Sequence, residues 1–165
     1  VNNAGISRLG PAEHEDLAGF EEVVDLNLTA VFDLARLAHG PMVAAGGGAI
    51  VNVASMLGLV GGTPMKQASY CASKGAVVNL TRELGAQWAR HGIRVNALAP
   101  GWFRSEMTDG MWDDDASVRF VAGRCPSGRE GAEDELDGAL LLLATDAGRY
   151  LVGHTLVVDG GWTAI

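Results

Sequence analysis

Ala49-Ile50-Val51-Asn52-Val53-Ala54 and Ile93-Arg94-Val95-Asn96-Ala97-Leu98 decide the fold. Both runs are short, rich in β-branched residues and apolar on both sides of the alternation, which suits strands buried on both faces of a parallel sheet. Between them the spacing predicts one helix over about 67–91, with Tyr70, Lys74, Val77, Leu84 and Trp88 along one stripe and Gly92 as its stop. Upstream, Phe20, Val23, Val24, Leu28, Val31, Leu34 and Ala38 follow helical spacing and predict a helix over 20–45, with a break near Gly40-Pro41 and an end at Gly46-Gly47-Gly48. A Gly/Pro-rich loop covers 58–64. Downstream of Pro100-Gly101, 102–127 reads as irregular and acidic. A third helix over 133–145, acidic in its first turn, and a last strand over 155–159 follow. Strands alternating with long helices give an α/β fold of parallel strands joined by right-handed crossovers.

Only three full strands are visible, with a strand stub at Val1 leading into the turn at Asn3-Ala4-Gly5. Residue 1 is Val rather than Met, and no signal peptide precedes it. The expectation is a single partial domain over 1–165, with the front of the sheet missing. With 165 residues, 48% of them hydrophobic, the chain can form a packed core. Its net charge of -8, with Lys66 and Lys74 as the only lysines, argues against nucleic-acid or anionic-lipid partners. No apolar run reaches the roughly 18 residues of a membrane span. Cys71 and Cys125 form no CxxC, so a reducing, cytoplasmic location is expected. His14, His39, His91 and His154 match no ligand spacing, and no metal site is expected. Asp113-Asp114-Asp115 lacks the pattern of a calcium loop and reads as a solvated loop.

Several residues carry chemistry. Tyr70 and Lys74 are four apart and share a helix face. A nearby ammonium favours the phenolate, so the pair can act as a tuned general acid/base. Ser55 follows a strand, at the end where ligands bind in open α/β sheets, and its hydroxyl can meet a carbonyl there. Alone it reads more readily as a helix-cap or turn serine. Asn27 is a poor interior helix residue amid apolar neighbours, and it caps a local kink or holds a water in a polar network. Asn3-Ala4-Gly5 and Pro100-Gly101 are tight turns after strands, small enough for a flat ligand to approach or simply turns that end strands.

The order NNAG, DLNLTAVF, IVNVAS, YCASK, IRVNALAPG and LVVDGGW resembles the short-chain dehydrogenase/reductase family over essentially the whole chain. The resemblance implies the carboxyl-terminal, catalytic and substrate side of an NAD(P)-binding, Rossmann-like doubly wound sheet. It implies a catalytic tetrad of Asn27, Ser55, Tyr70 and Lys74. Tyr70 exchanges the proton, Ser55 orients the substrate oxygen, and Lys74 depresses the Tyr70 pKa and bonds the cofactor ribose. Asn27 holds a water in a proton relay. Asn3, Ala4 and Gly5 lie near the adenosine side of NAD or NADP, Pro100 and Gly101 flank the nicotinamide, and Ser105 binds its carboxamide.

The implied reaction interconverts a secondary alcohol and a ketone by hydride transfer, on a 3-oxoacyl thioester, a sugar or polyol, or a steroid-like molecule. The implied assembly is a homotetramer, formed through the Tyr70 helix and the one before it. Apolar Trp102, Phe103, Met107, Met111 and Trp112 fall where the family has a flap over the substrate. The chain departs from the pattern in two ways. Ser55 and Tyr70 are 15 apart, slightly more than usual, with the extra residues in 61–66. The family's Gly-rich pyrophosphate turn is absent from these residues, so the 165-residue piece is expected to be inactive. The alternatives are an epimerising or dehydrating relative, a non-catalytic family member, and an inactive fragment acting as a partner subunit.

Overall fold

The computed structural model describes residues 1–165. Strands β1 (Gly48–Val53), β2 (Ile93–Pro100) and β3 (Thr155–Val158) form a parallel sheet in the order β1-β2-β3. Ile50 lies opposite Val95, Asn52 opposite Ala97, and Ala97 in turn opposite Thr155. The stub at Val1 pairs on the free side of β1. Asn2 bridges Asn52 in parallel, its N–H donating to Val51 O at 2.9 Å and its carbonyl accepting from Val53 N at 2.9 Å.

Helices cover both faces, because alternate strand residues are apolar on both. Helix α3 (Ala68–Trp88) lays Val77 and Val78 against Ala54, Ala97 and Ala99. Farther along α3, Leu84 and Trp88 pack with Ile50, Ile93, Val95 and Ala35. On the opposite face Leu143 of α5 (Asp137–Ala144) closes on Val51 and Leu98.

The first helical stretch differs from expectation. It begins earlier, at α1 (Leu17–Val24), where the Asp16 side chain accepts from Gly19 N. It then passes through a wide π-type turn (Asp25–Thr29) into α2 (Ala30–Ala44). There is no break at Gly40-Pro41. Pro41 lies inside α2 near its end, with Gly40 and Pro41 exposed, so the lost amide bond falls on the solvent side. The irregularity sits instead at Asn27. The buried face is Val23, Asn27, Val31 and Ala35, while Leu34 and Leu37 are more than half exposed.

The region 102–127 also corrects the reading. It holds a full helix, α4 (Asp115–Arg124), and Asp114 is its N-cap, accepting from Ala116 and Ser117 N–H groups. The three aspartates start a helix rather than form a plain solvated loop.

Two buried asparagines tie the sheet to its surroundings. Asn52 accepts from Asn2 Nδ2 at 2.8 Å and donates to Thr81 Oγ1 on α3 at 3.0 Å. Asn96 donates to Leu151 O at 2.9 Å and accepts from His154 N at 2.9 Å, fixing the segment that leads into β3. Replacing Asn96 by Ala leaves the part-buried Leu151 C=O and His154 N–H without this partner. We predict a loss of about 2–3 kcal/mol in urea unfolding, against less than about 0.5 kcal/mol for exposed Gln87→Ala.

Candidate active site

The strand ends and the amino-terminal half of α3 meet in a cleft of about 510 Å³. Ser55, Tyr70, Lys74, Asn3, Gly5, Pro100, Gly101 and Ser105 all line it. Ala4 and Asn27 do not.

Ser55 lies two residues past the end of β1 and caps a short 3-10 turn (Met56–Gly58), its hydroxyl accepting from Leu57 N at 3.1 Å. It is therefore a turn cap and a cleft residue at once. A Cβ on Gly58 would lie 2.6 Å from the Lys74 carbonyl carbon and oxygen. Only a glycine lets this turn rest directly on α3 and bring Ser55 to Tyr70.

Lys74 is buried on α3. Its ammonium donates to Val53 O at the end of β1, at 2.8 Å, and lies 5.7 Å from the Tyr70 ring centroid. Burial lowers its pKa from 10.5 to about 8. Tyr70 departs from the sequence expectation. Burial pushes its phenol above the ordinary value, and the Ser55 hydroxyl draws it part of the way back. Burial is the largest cause of this shift. The protonated phenol is the form this site favours.

Asn27 is fully buried. Its amide is committed to the chain: Nδ2 donates to Ile6 O at 2.9 Å and Ser73 Oγ at 3.1 Å, and Oδ1 accepts from Ile6 N at 2.9 Å. The side chain therefore fixes the backbone after Gly5. Ser73 Oγ in turn donates to Tyr70 O at 2.9 Å, so Asn27 reaches the Tyr70 turn through one hydroxyl. A Cβ on Gly5 would lie 3.2 Å from Asn27 Oδ1 and 3.4 Å from Lys74 Nζ. The absent side chain leaves a shallow floor beside the ammonium, suited to a flat ring or a ribose.

Gly101 is required by packing as well. Its N–H donates to Val158 O at 2.8 Å, and a Cβ there would meet Asp159 Cα at 2.6 Å. Ser105 is exposed, and its hydroxyl lies 3.2 Å from Thr108 Oγ1. The segment after Gly101 forms the apolar wall: Trp102, Phe103, Met107 and Met111 line the cleft, and Trp112 packs behind them.

Four residues were not singled out by the sequence. Thr108 Oγ1 gathers Ser105 N (3.0 Å), Trp112 Nε1 (3.1 Å) and Phe103 O (2.8 Å) into one knot that shapes the wall. Glu15 accepts from Ser69 Oγ and, at 3.4 Å, from Ser69 N, anchoring the first turn of α3. Gln67 and Arg104 line the cleft. An acidic residue next to Asp16 carried no signal for Glu15, because its partner lies 54 positions away. Gln67 stands three residues before Tyr70, at the N-cap of α3, and its place at the helix start could have found it.

Comparison with known proteins gives one consistent result. The family model described as enoyl-(acyl carrier protein) reductase matches residues 1–163. Galactitol 2-dehydrogenase (L-tagatose-forming) of Cereibacter sphaeroides is 45% identical over 163 residues, which is 99% of this chain and 64% of that protein. A 2-dehydro-3-deoxy-D-gluconate 5-dehydrogenase of Dickeya dadantii (strain 3937) is 39% identical over 165 residues, again 99% of this chain and 64% of the relative. The crystal structure of a gluconate 5-dehydrogenase from Burkholderia cenocepacia J2315, in complex with NADP and tartrate, superposes with a TM-score of 0.95 at 40% identity. It is covered over 64% of its length, by 99% of this chain. The chain thus spans about 64% of the length of the relatives it matches. With its parallel sheet, its helices on both faces and these matches, the chain belongs to the short-chain dehydrogenase/reductase family.

Proposed function

We propose that the protein carrying this chain interconverts a secondary alcohol and a ketone with NAD or NADP, and that residues 1–165 are the catalytic and substrate side of a single Rossmann-like domain. One observation carries the reading: a buried tyrosine and a buried lysine on one helix face meet a serine at the carboxyl end of a parallel strand, inside one cleft. The relatives named above act on a hexitol and on sugar acids, and they support a polyhydroxylated substrate.

The residues present suit a nicotinamide cofactor. Asn3, Gly5, Lys74, Pro100, Gly101 and Ser105 line the half of the cleft beside the strand ends, and the bare floor at Gly5 admits a flat group next to Lys74. The cofactor supplies hydride chemistry when bound. The chain's own residues handle the proton. Ser55 orients the substrate oxygen and hydrogen-bonds it. Tyr70, kept protonated by burial, gives its phenolic proton to that oxygen in reduction and takes it back in oxidation. Lys74 holds a second proton near neutral pH and can return one toward Tyr70. Asn27 fixes the backbone beside Gly5 and, through Ser73, the turn carrying Tyr70. The exposed apolar row Phe32, Leu34 and Leu37 on α2 supports assembly of copies through this helix, in line with a homotetramer.

Tyr70→Phe removes the proton but keeps the ring. In the protein expressed from its complete gene, followed by nicotinamide absorbance with a hexitol or sugar acid, kcat should fall roughly 10²–10⁴-fold with KM little changed. Activity within a few-fold of wild type would overturn the assignment.

Lys74 also links stability to pH. Its folded pKa of about 8 lies below the ordinary 10.5, so between these values the unfolded chain binds a proton that the folded chain lacks. Stability therefore rises as pH increases through this window, and the full penalty is present below it. Urea midpoints should increase from about pH 8 to about 9.5, and Lys74→Met should flatten that increase.

A further inference from the structure

The indole N–H groups of Trp102 and Trp162 and the Thr155 hydroxyl are enclosed without a partner, and among the buried asparagine, glutamine, serine, threonine and lysine residues all but one are engaged within the chain. Asn27, Asn52, Ser55, Ser69, Ser73, Lys74, Thr81 and Asn96 each take part in at least one hydrogen bond described by the structure. Gln67 is the exception. It is 8% exposed and lines the cleft; its backbone carbonyl accepts from Cys71 N at 3.1 Å, but its side-chain amide has no partner in the chain. An amide left this way forgoes hydrogen bonds that water or a ligand must supply.

Its position says which ligand. Gln67 is the N-cap of α3, three residues before Tyr70 and seven before Lys74, and all three line the cleft. Lys74 stands at the Gly5 end of this row, where the cofactor side lies. Gln67 stands on the other side of Tyr70 in the chain, just before the helix begins. That placement in the same cleft suits a group on the carbon next to the one that reacts at Tyr70. A glutamine amide offers donors and an acceptor together, which matches a hydroxyl. The facing wall of Met56, Met65, Trp102, Met107 and Met111 offers aliphatic and ring surface.

We infer that Gln67 binds the hydroxyl on the carbon adjacent to the oxidised one, so that the site selects vicinal diols over simple secondary alcohols. This rests on the alcohol/ketone reading above. Gln67 does not touch the transferred hydrogen. It sets which substrates bind, and its contribution is read as a preference.

The test is a cycle of two substrates and two proteins, using the protein from its complete gene with its cofactor. The substrates are a hexitol and the matching deoxy-hexitol that lacks the hydroxyl beside the oxidised carbon. Wild type should prefer the hexitol roughly tenfold in kcat/KM, the worth of one neutral hydrogen bond. Gln67→Leu should lower only the hexitol value and so erase the preference. Gln67→Glu, which keeps an acceptor, should retain part of it and serves as the second variant if Leu perturbs folding by circular dichroism. An equal fall on both substrates means a structural role and overturns the proposal, as does a preference that survives Gln67→Leu. If wild type oxidises neither substrate while remaining folded, the reaction reading fails, and this proposal falls with it.

Discussion

A buried ammonium bonded to a strand-end carbonyl holds this site together. Lys74 Nζ and Val53 O, 2.8 Å apart, join the middle of α3 to the end of β1. A buried lysine charge is unfavourable unless it is paired or well hydrogen-bonded, and the carbonyl supplies only part of what water would. The neighbours follow from that bond. Gly58 lacks a side chain so that the turn after Ser55 can lie on the Lys74 backbone, and Gly5 lacks one beside the ammonium. Tyr70, one turn ahead of Lys74, is carried into the same buried environment.

Amides secure the frame around that joint. Asn27 grips both backbone polar groups of Ile6, Asn52 links the stub at Asn2 to Thr81 on α3, and Asn96 fixes the approach to β3. Each is buried; Asn27 and Asn96 bond backbone groups that sheet or helix geometry leaves unpaired, and Asn52 bonds two side chains. The chain spends its buried polar groups on holding turns close to the strand ends, which is where open α/β sheets bind ligands. This arrangement makes the free amide of Gln67 informative, since it stands at the same rim with nothing in the protein to satisfy it.

Much of this was legible from residue order. The strands at 49–54 and 93–98 lie within one or two residues of their observed bounds, because apolar runs on both alternations leave few other choices. The stripe Tyr70, Lys74, Val77, Leu84 and Trp88 is buried as its spacing implied. What was not legible depended on contacts distant in sequence. Asn27 looked anomalous in a helix, but its partners Ile6 and Ser73 lie 21 and 46 positions away. The missed helix α4 is marginal by pattern, with Val121 as its only buried residue. The direction of the Tyr70 shift depends first on burial, which a four-residue spacing does not encode.

The central claim is that this cleft exchanges a hydride and a proton at one carbinol carbon. The most direct measurement follows a deuterium label at that carbon in a hexitol or sugar acid, oxidised by the complete protein with NAD or NADP. The account predicts that the label is recovered on the reduced nicotinamide, with none released to water. Release of the label to solvent, or product formed without net cofactor reduction, would contradict it.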